Sequence, residues 1–164
     1  MSQTIQTSVV HSTIVIERSF PVPPQRVFAT FSDPAKKRRW FTPDEGMQQT
    51  EEYEMDFRVG GWERKQFRVP AGFVCTNDTV YQDIVPDSRI VMAYTMSAGE
   101  MRISASLATF EFLPAGDGTK MIFTEQGAFF EGSDGPEMRK GGWMNLFERL
   151  AKEMVEQGSR ASRG

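Results

Sequence analysis

Near the C-terminal end of the chain, apolar side chains return every three or four residues. Trp143, Leu146, Phe147, Leu150, Ala151 and Met154 fall on one side of a helix, and Asn145, Glu148, Arg149 and Lys152 on the other. A stripe that carries Trp and Phe requires a large apolar partner surface, each fully buried large side chain contributing roughly 1.5–3 kcal/mol. Asp134, with Glu137 in the capping-box position and Pro136 in the first turn, predicts a capped start, and Gly158 predicts a stop. Gly141 and Gly142 interrupt the pattern at a cost of about 1 kcal/mol each relative to alanine. They predict close approach to a partner, a kink that opens a cavity entrance, or a helix that becomes regular only after them.

Upstream the period changes to two. Residues 13–20 read as a strand with Ile14, Ile16 and Phe20 on one face. Pro21, Pro23 and Pro24 end it, and Pro24 can open a short helix with Val27, Phe28 and Phe31 as its apolar stripe. Asp33 then acts as N-cap, with Pro34 at the first position, for a second short helix over 35–40. Its run Lys36-Lys37-Arg38-Arg39 reads as a solvated face, with an anion or partner contact as the alternative. Over residues 52–58, Tyr53, Met55 and Phe57 alternate with charged side chains, and Gly60-Gly61 marks a tight turn. Further strands are predicted over 62–69, 73–85 with an interruption at 76–78, 89–96, 103–113 and 119–129. Strands joined consecutively by short loops imply an antiparallel meander. A twisted sheet with the last helix across its concave face closes this arrangement.

Length and composition narrow the class. The chain has 164 residues, 39% of them hydrophobic, with 13 Phe and 10 Met, which suffices for one domain with a core and no staples. The expected organisation is a flexible tail over 1–11, one domain over 12–157 and a second flexible tail over 158–164. A net charge of -3 argues against a nucleic-acid footprint. Cys75 is the single cysteine, so an intrachain disulfide is excluded and a reducing, cytoplasmic setting is expected. No apolar run approaches the roughly 20 residues that span a bilayer. His11 is the single histidine and is expected in or near the tail, so neither a metal site nor a Ser-His-Asp triad is expected. No Walker or dinucleotide fingerprint is present, and no cofactor is expected.

The candidate cavity residues come from strand faces and the last helix. They are Met55, Phe57, Met92, Tyr94 and Phe123 from the sheet, and Trp143 and Phe147 from the helix. Methionine is flexible and polarisable and suits an adaptable apolar pocket. Glu125 shares a strand face with Met121 and Phe123. Either it sits desolvated on that face and serves as an acid or base, or the strand twists and the carboxylate is solvated or paired with arginine. Glu125 and Tyr81 are the weak catalytic candidates. Arg64 and Arg68 share a face with Trp62 and Gln66; it reads as the polar outside of the sheet, the alternative being that the two arginines bind an acidic ligand group.

An ordered set of short motifs runs through the chain. It comprises Arg18-Ser19-Phe20-Pro21, Val27-Phe28, Ser32-Asp33-Pro34, Trp40-Phe41, Asp56-Phe57-Arg58-Val59-Gly60-Gly61, Val85-Pro86 before Arg89-Ile90-Val91, and Gly142-Trp143 with Leu146 and Leu150. Over about residues 12–157 this set resembles the START-like helix-grip (SRPBCC) superfamily, in the branch related to the activator of the heat-shock chaperone ATPase. The resemblance implies an α+β, Bet v 1-like fold. In it an antiparallel curved sheet wraps around a long C-terminal helix, with two short helices after the first strand. It also implies a cavity that, in the superfamily, often takes lipids, sterols or polyketides. The expected function is the binding of a small, mostly hydrophobic molecule in that cavity, without assigned catalysis. Two alternatives stay open: a chaperone-binding, stress-related interaction module, and a polyketide cyclase-type or hydrolyase enzyme using a cavity acid or base. The open edges of such a sheet also allow a homodimer.

Overall fold

Alternation at period two does produce the sheet. The structure is a computed structural model that describes residues 8–42 and 49–161, with side chains described over 8–42 and 50–155. The outer parts of both predicted tails, and the centre of the loop after the second short helix, lie outside the described residues.

Seven strands form one antiparallel sheet: β1 (Val10–Phe20), β2 (Gln49–Met55), β3 (Trp62–Arg68), β4 (Val74–Val85), β5 (Arg89–Ala98), β6 (Met101–Ala115) and β7 (Gly118–Phe129). Their spatial order is β1-β7-β6-β5-β4-β3-β2, so β2 to β7 run as a meander and β1 joins at β7. Helices α1 (Pro24–Ser32) and α2 (Pro34–Phe41) follow β1, and α3 (Gly135–Ala161) ends the described chain. The fold is the α+β helix grip, a curved open sheet with the C-terminal helix laid against it.

Local chemistry explains the short helices. Pro24 stands in the first turn of α1, where its missing N–H costs nothing. The Asp33 carboxylate accepts from the N–H groups of Ala35 at 3.0 Å and Lys36 at 3.4 Å, capping α2. One part of the basic run departs from its expected solvated face. Arg38 and Arg39 are exposed, but Lys37 is only 2% exposed and turns inward to meet Glu63 of β3.

Several boundaries move. β1 begins at Val10, which places His11 in the strand opposite Ala128 and not in the tail. β2 ends at Met55, so Phe57 follows the strand and does not extend it. The return from β2 to β3 is closed by the Asp56 N–H on Trp62 O at 2.7 Å. A Cβ at Gly61 would lie 2.1 Å from Asp56 O, so only glycine fits this turn. β4 runs unbroken through 76–78; its irregularity falls between Tyr81 and Asp83, where the register with β5 shifts.

Helix α3 is continuous through Gly141 and Gly142, and it continues past Gly158 to Ala161. The expected capping box does not form. Asp134 spends its carboxylate on Arg139 and Ser133, and Ser133 Oγ accepts from the Gly135 N–H at 3.1 Å. The apolar stripe behaves as its spacing predicts: Trp143, Phe147, Leu150 and Met154 are buried against the sheet. Phe123 of β7 meets Trp143 at a centroid distance of 4.8 Å and Phe147 at 5.4 Å, and Phe110 of β6 completes the stack. Such pairs are worth about 0.5–1.5 kcal/mol beyond the area they bury.

The glycine pair is needed neither for close approach nor for a break. A Cβ at either position meets nothing within 4 Å. Gly141→Ala and Gly142→Ala are therefore expected to stabilise the protein by about 0.4–1 kcal/mol each, chiefly by restricting the unfolded chain. Urea unfolding checks this, and a loss of stability in either variant would show that the pair holds a conformation alanine cannot adopt.

Candidate functional site

The helix does not seal against the whole sheet. A cavity of about 620 Å³ lies between α3 and the concave faces of β3, β4 and β5. Its apolar wall includes Phe41 from the end of α2, Phe67 of β3, Met96 of β5, and Trp143 and Leu146 of α3. Gly142 also borders it. Cys75, Asn77 and Tyr94 add polar atoms from the sheet, and Arg139 and Arg149 add charge from the helix.

Two buried polar networks frame this space. The first centres on Glu125, which is 0% exposed and so occupies the desolvated face. Its oxygens accept from Tyr94 Oη at 2.5 Å, Trp143 Nε1 at 2.9 Å and Ser106 Oγ at 3.2 Å. Arg139 Nη1 stands 3.6 Å away, donates to Tyr94 Oη at 3.0 Å, and its guanidinium also holds Asp134 and Ser104 Oγ. The carboxylate is thus both desolvated and paired with arginine, which joins the two readings of the sequence in one arrangement. Burial, and then the neighbouring Glu125, pushes the Tyr94 hydroxyl well above the usual tyrosine range, so it remains a donor.

The second network centres on Glu63. Its Oε2 pairs with Lys37 Nζ at 2.8 Å and accepts from Tyr53 Oη at 2.7 Å and Tyr81 Oη at 3.2 Å. Lys65, two residues on along the same inward face, is 3% exposed. Its ammonium donates to the Phe41 carbonyl at 2.5 Å and lies over the Phe41 and Phe67 rings at 4.2 and 5.0 Å. Burial pulls the Lys65 amine down to about 8; Glu63 opposes that pull, and Lys37 and Arg149 add to it.

The candidate residues of the sequence divide between wall and core. Tyr94 and Trp143 line the cavity. Phe123 and Phe147 stack behind Trp143, and Met92 is buried in the same core. Met55 and Phe57 pack near Tyr53 and Tyr81, beside the Glu63 network. Glu125 and Tyr81 are held in the two networks and do not line the cavity. Arg64 and Arg68 lie on the outer face, paired with Asp78 and Glu51.

Sequence reasoning passed over Lys65, Arg139 and Asn77. The signals were present. If Trp62, Arg64 and Gln66 face outward, then Glu63, Lys65 and Phe67 must face inward. Arg139 precedes Trp143 by four residues and so shares its helical face. Among the described residues, no group of three or more His, Cys, Asp or Glu side chains could hold a metal ion, and no helix is long and apolar enough to cross a membrane.

Comparison with known proteins places this architecture. The family model described as activator of Hsp90 ATPase homolog 1-like protein matches residues 21–155. The chain belongs to this family. Among solved structures, the activator of Hsp90 ATPase homolog 1-like chain is similar to the Mll3558 protein of Rhizobium loti, with 48% identity and a TM-score of 0.82 over 90% of this chain and 99% of that one. A protein of Rhizobium leguminosarum shares 42% identity, with a TM-score of 0.85 over 91% and 97% of the two chains. The CV1439 protein of Chromobacterium violaceum shares 26%, with a TM-score of 0.71 over 85% and 94%. No curated protein matches this sequence.

Proposed function

We propose that this protein binds a small, mostly apolar molecule in the cavity between the sheet and α3. The observation that carries the reading is the partly open cavity left between α3 and the sheet, lined by aromatic and aliphatic side chains with a few polar groups. At about 620 Å³ it falls within the roughly 300–1,000 Å³ of ligand pockets, in a protein whose neighbouring core is filled by interlocking aromatic rings. Its walls combine apolar surface with a few convergent polar groups, the usual composition of a binding site. Tyr94 and Trp143 are the proposed contacts from the original candidate set. Phe123 and Phe147 hold the Trp143 ring in place from behind, and Met55, Phe57 and Met92 serve the core.

The test is native mass spectrometry of the protein purified from its own host, which also reports whether it assembles as a homodimer. The expected result is a mass excess, at one small molecule per chain, that disappears on denaturation. A chain that carries no small molecule, and that no apolar additive of cavity size stabilises against heat, would overturn the proposal. Co-purification of a chaperone with such an empty chain would favour an interaction module.

A further inference from the structure

We propose that the ligand of this cavity is an amphipathic carboxylic acid whose carboxylate pairs with Lys65. The inference rests on the binding reading above and names the chemical class of the ligand. Its basis is an imbalance in how the buried charges are partnered. Arg139 is met by Asp134 and Glu125, and Lys37 by Glu63. Lys65 is as deeply buried, yet no carboxylate of the described residues comes within ion-pair distance of it. Its one hydrogen bond goes to the Phe41 carbonyl, and its other exposure is to two aromatic rings and the cavity. An ammonium has three donors, and burying one without an anion is costly.

A second unfinished position lies directly opposite. Asn77 is the cross-strand partner of Lys65 and borders the same cavity; its Oδ1 is buried with no hydrogen-bond partner and, as an acceptor, calls for a donor group on the ligand besides the carboxylate that Lys65 receives. The two adjacent strands thus bring an ammonium with spare donors and an unsatisfied amide oxygen to neighbouring positions of the wall, beside the apolar surface of Phe41 and Phe67. Arg149 adds a guanidinium to that wall from α3. An apolar body with one terminal carboxylate fits this arrangement, the body lying along Phe67, Met96, Trp143 and Leu146 and the anion at Lys65.

The pairing predicts its own pH dependence. Below about pH 8 Lys65 is charged and receives the anion directly. Above that pH the empty cavity holds a neutral amine, and binding of a carboxylate must take up a proton, weakening affinity by up to about tenfold per pH unit. The groups that face Lys65 are Lys37 from α2, Glu63 from its own strand, Cys75 from β4, Tyr94 from β5, and Asp134, Arg139 and Arg149 at α3. Burial raises the Cys75 thiol and the Tyr94 hydroxyl, so neither reproduces this profile.

Three probes on one aromatic body provide the test: naphthylacetate, naphthylethanol and naphthylethylamine, measured by calorimetry on the wild type and Lys65→Met. The expected order in the wild type at pH 7 is acid, then alcohol, then amine, with the acid at least tenfold tighter than the alcohol. Lys65→Met is expected to keep the alcohol's affinity, lose the acid's advantage and show no decline above pH 8; its thermal transition confirms that it folds. Equal affinity for acid and alcohol in the wild type, or an acid preference that survives in Lys65→Met, would overturn the carboxylate while leaving the apolar site intact. Failure of all three to bind the wild type would overturn both readings.

Discussion

Replacing Arg139 by methionine is expected to destabilise the protein by about 3–5 kcal/mol. The substitution keeps much of the side chain's length and apolar stem, so the loss comes from the charge. Arg139 is 6% exposed and is the one cation among the described ion pairs that holds both Asp134 and Glu125. Without it, Glu125 stays at 0% exposure with only the neutral donors of Tyr94, Trp143 and Ser106. A buried carboxylate left in that state costs several kcal/mol or takes up a proton. The start of α3 also loses its tie, since Asp134 and Ser104 are joined to the helix through the same guanidinium. Urea unfolding of the single variant and of Arg139→Met with Glu125→Gln measures the coupling. The double variant is expected to recover part of the loss, because the neutral amide no longer needs a cation. A single variant within 1 kcal/mol of the wild type would show that the network does not hold the helix.

Lys65→Met is expected to act in the opposite direction, stabilising the protein at pH 7 by about 2–3 kcal/mol. The ordinary lysine value of 10.5 and the folded value of about 8 differ by an amount worth about 3 kcal/mol. That is the cost of keeping the amine charged in the folded state, present in full below about pH 8. The lost hydrogen bond to the Phe41 carbonyl offsets a part of it. Between pH 8 and about 10 the folded protein has released the proton while the unfolded chain retains it. The unfolded state then binds more protons at this residue, so wild-type stability rises from about pH 8 until, near pH 9, the Cys75 thiol, which burial raises, ionises in the unfolded chain alone and offsets the rise. The tyrosines reverse the trend at higher pH. Burial, with Glu63 or Glu125 beside them, raises Tyr53, Tyr81 and Tyr94 far above the usual range. Above about pH 10 the unfolded tyrosines ionise and the folded ones do not, and stability falls. The wild type should therefore show a maximum on the alkaline side, and Lys65→Met should lack the rising limb. A wild-type profile that is flat or falling from pH 8 to 9, below the ordinary value of the Cys75 thiol, would contradict the lowered lysine.

The elements of the fold follow from local spacing. The stripe from Trp143 to Met154 requires a partner at period 3.6, and the alternation from β1 to β7 supplies one at period two, because side-chain direction in each element depends only on the backbone geometry of near neighbours. The helix starts at Pro24 and Asp33 are equally local: Pro24 has no N–H to leave unpaired in the first turn, and Asp33 accepts from two N–H groups within one turn. Where the reading failed, distant residues decided. Lys37 looked like part of a solvated run, yet Glu63, far along the chain, draws it into the core. Asp134 had the spacing of a capping residue, but Arg139 and Ser133 claim its carboxylate. The Gly141-Gly142 pair suggested a break, while the tertiary contacts on either side keep the helix whole.

From the amino-acid order alone came the sheet and the grip of the last helix, since each depends on the sum of many short-range preferences. The cavity's extent, and which charged side chains face it, depended on the tertiary structure. Lys65 and Asn77 become one polar point only through the register of β3 on β4. Glu125, Tyr94, Arg139 and Trp143 become one network only when α3 lies against the sheet. Such pairings place charges from separate elements within a few ångströms, and no periodicity along the chain encodes that distance.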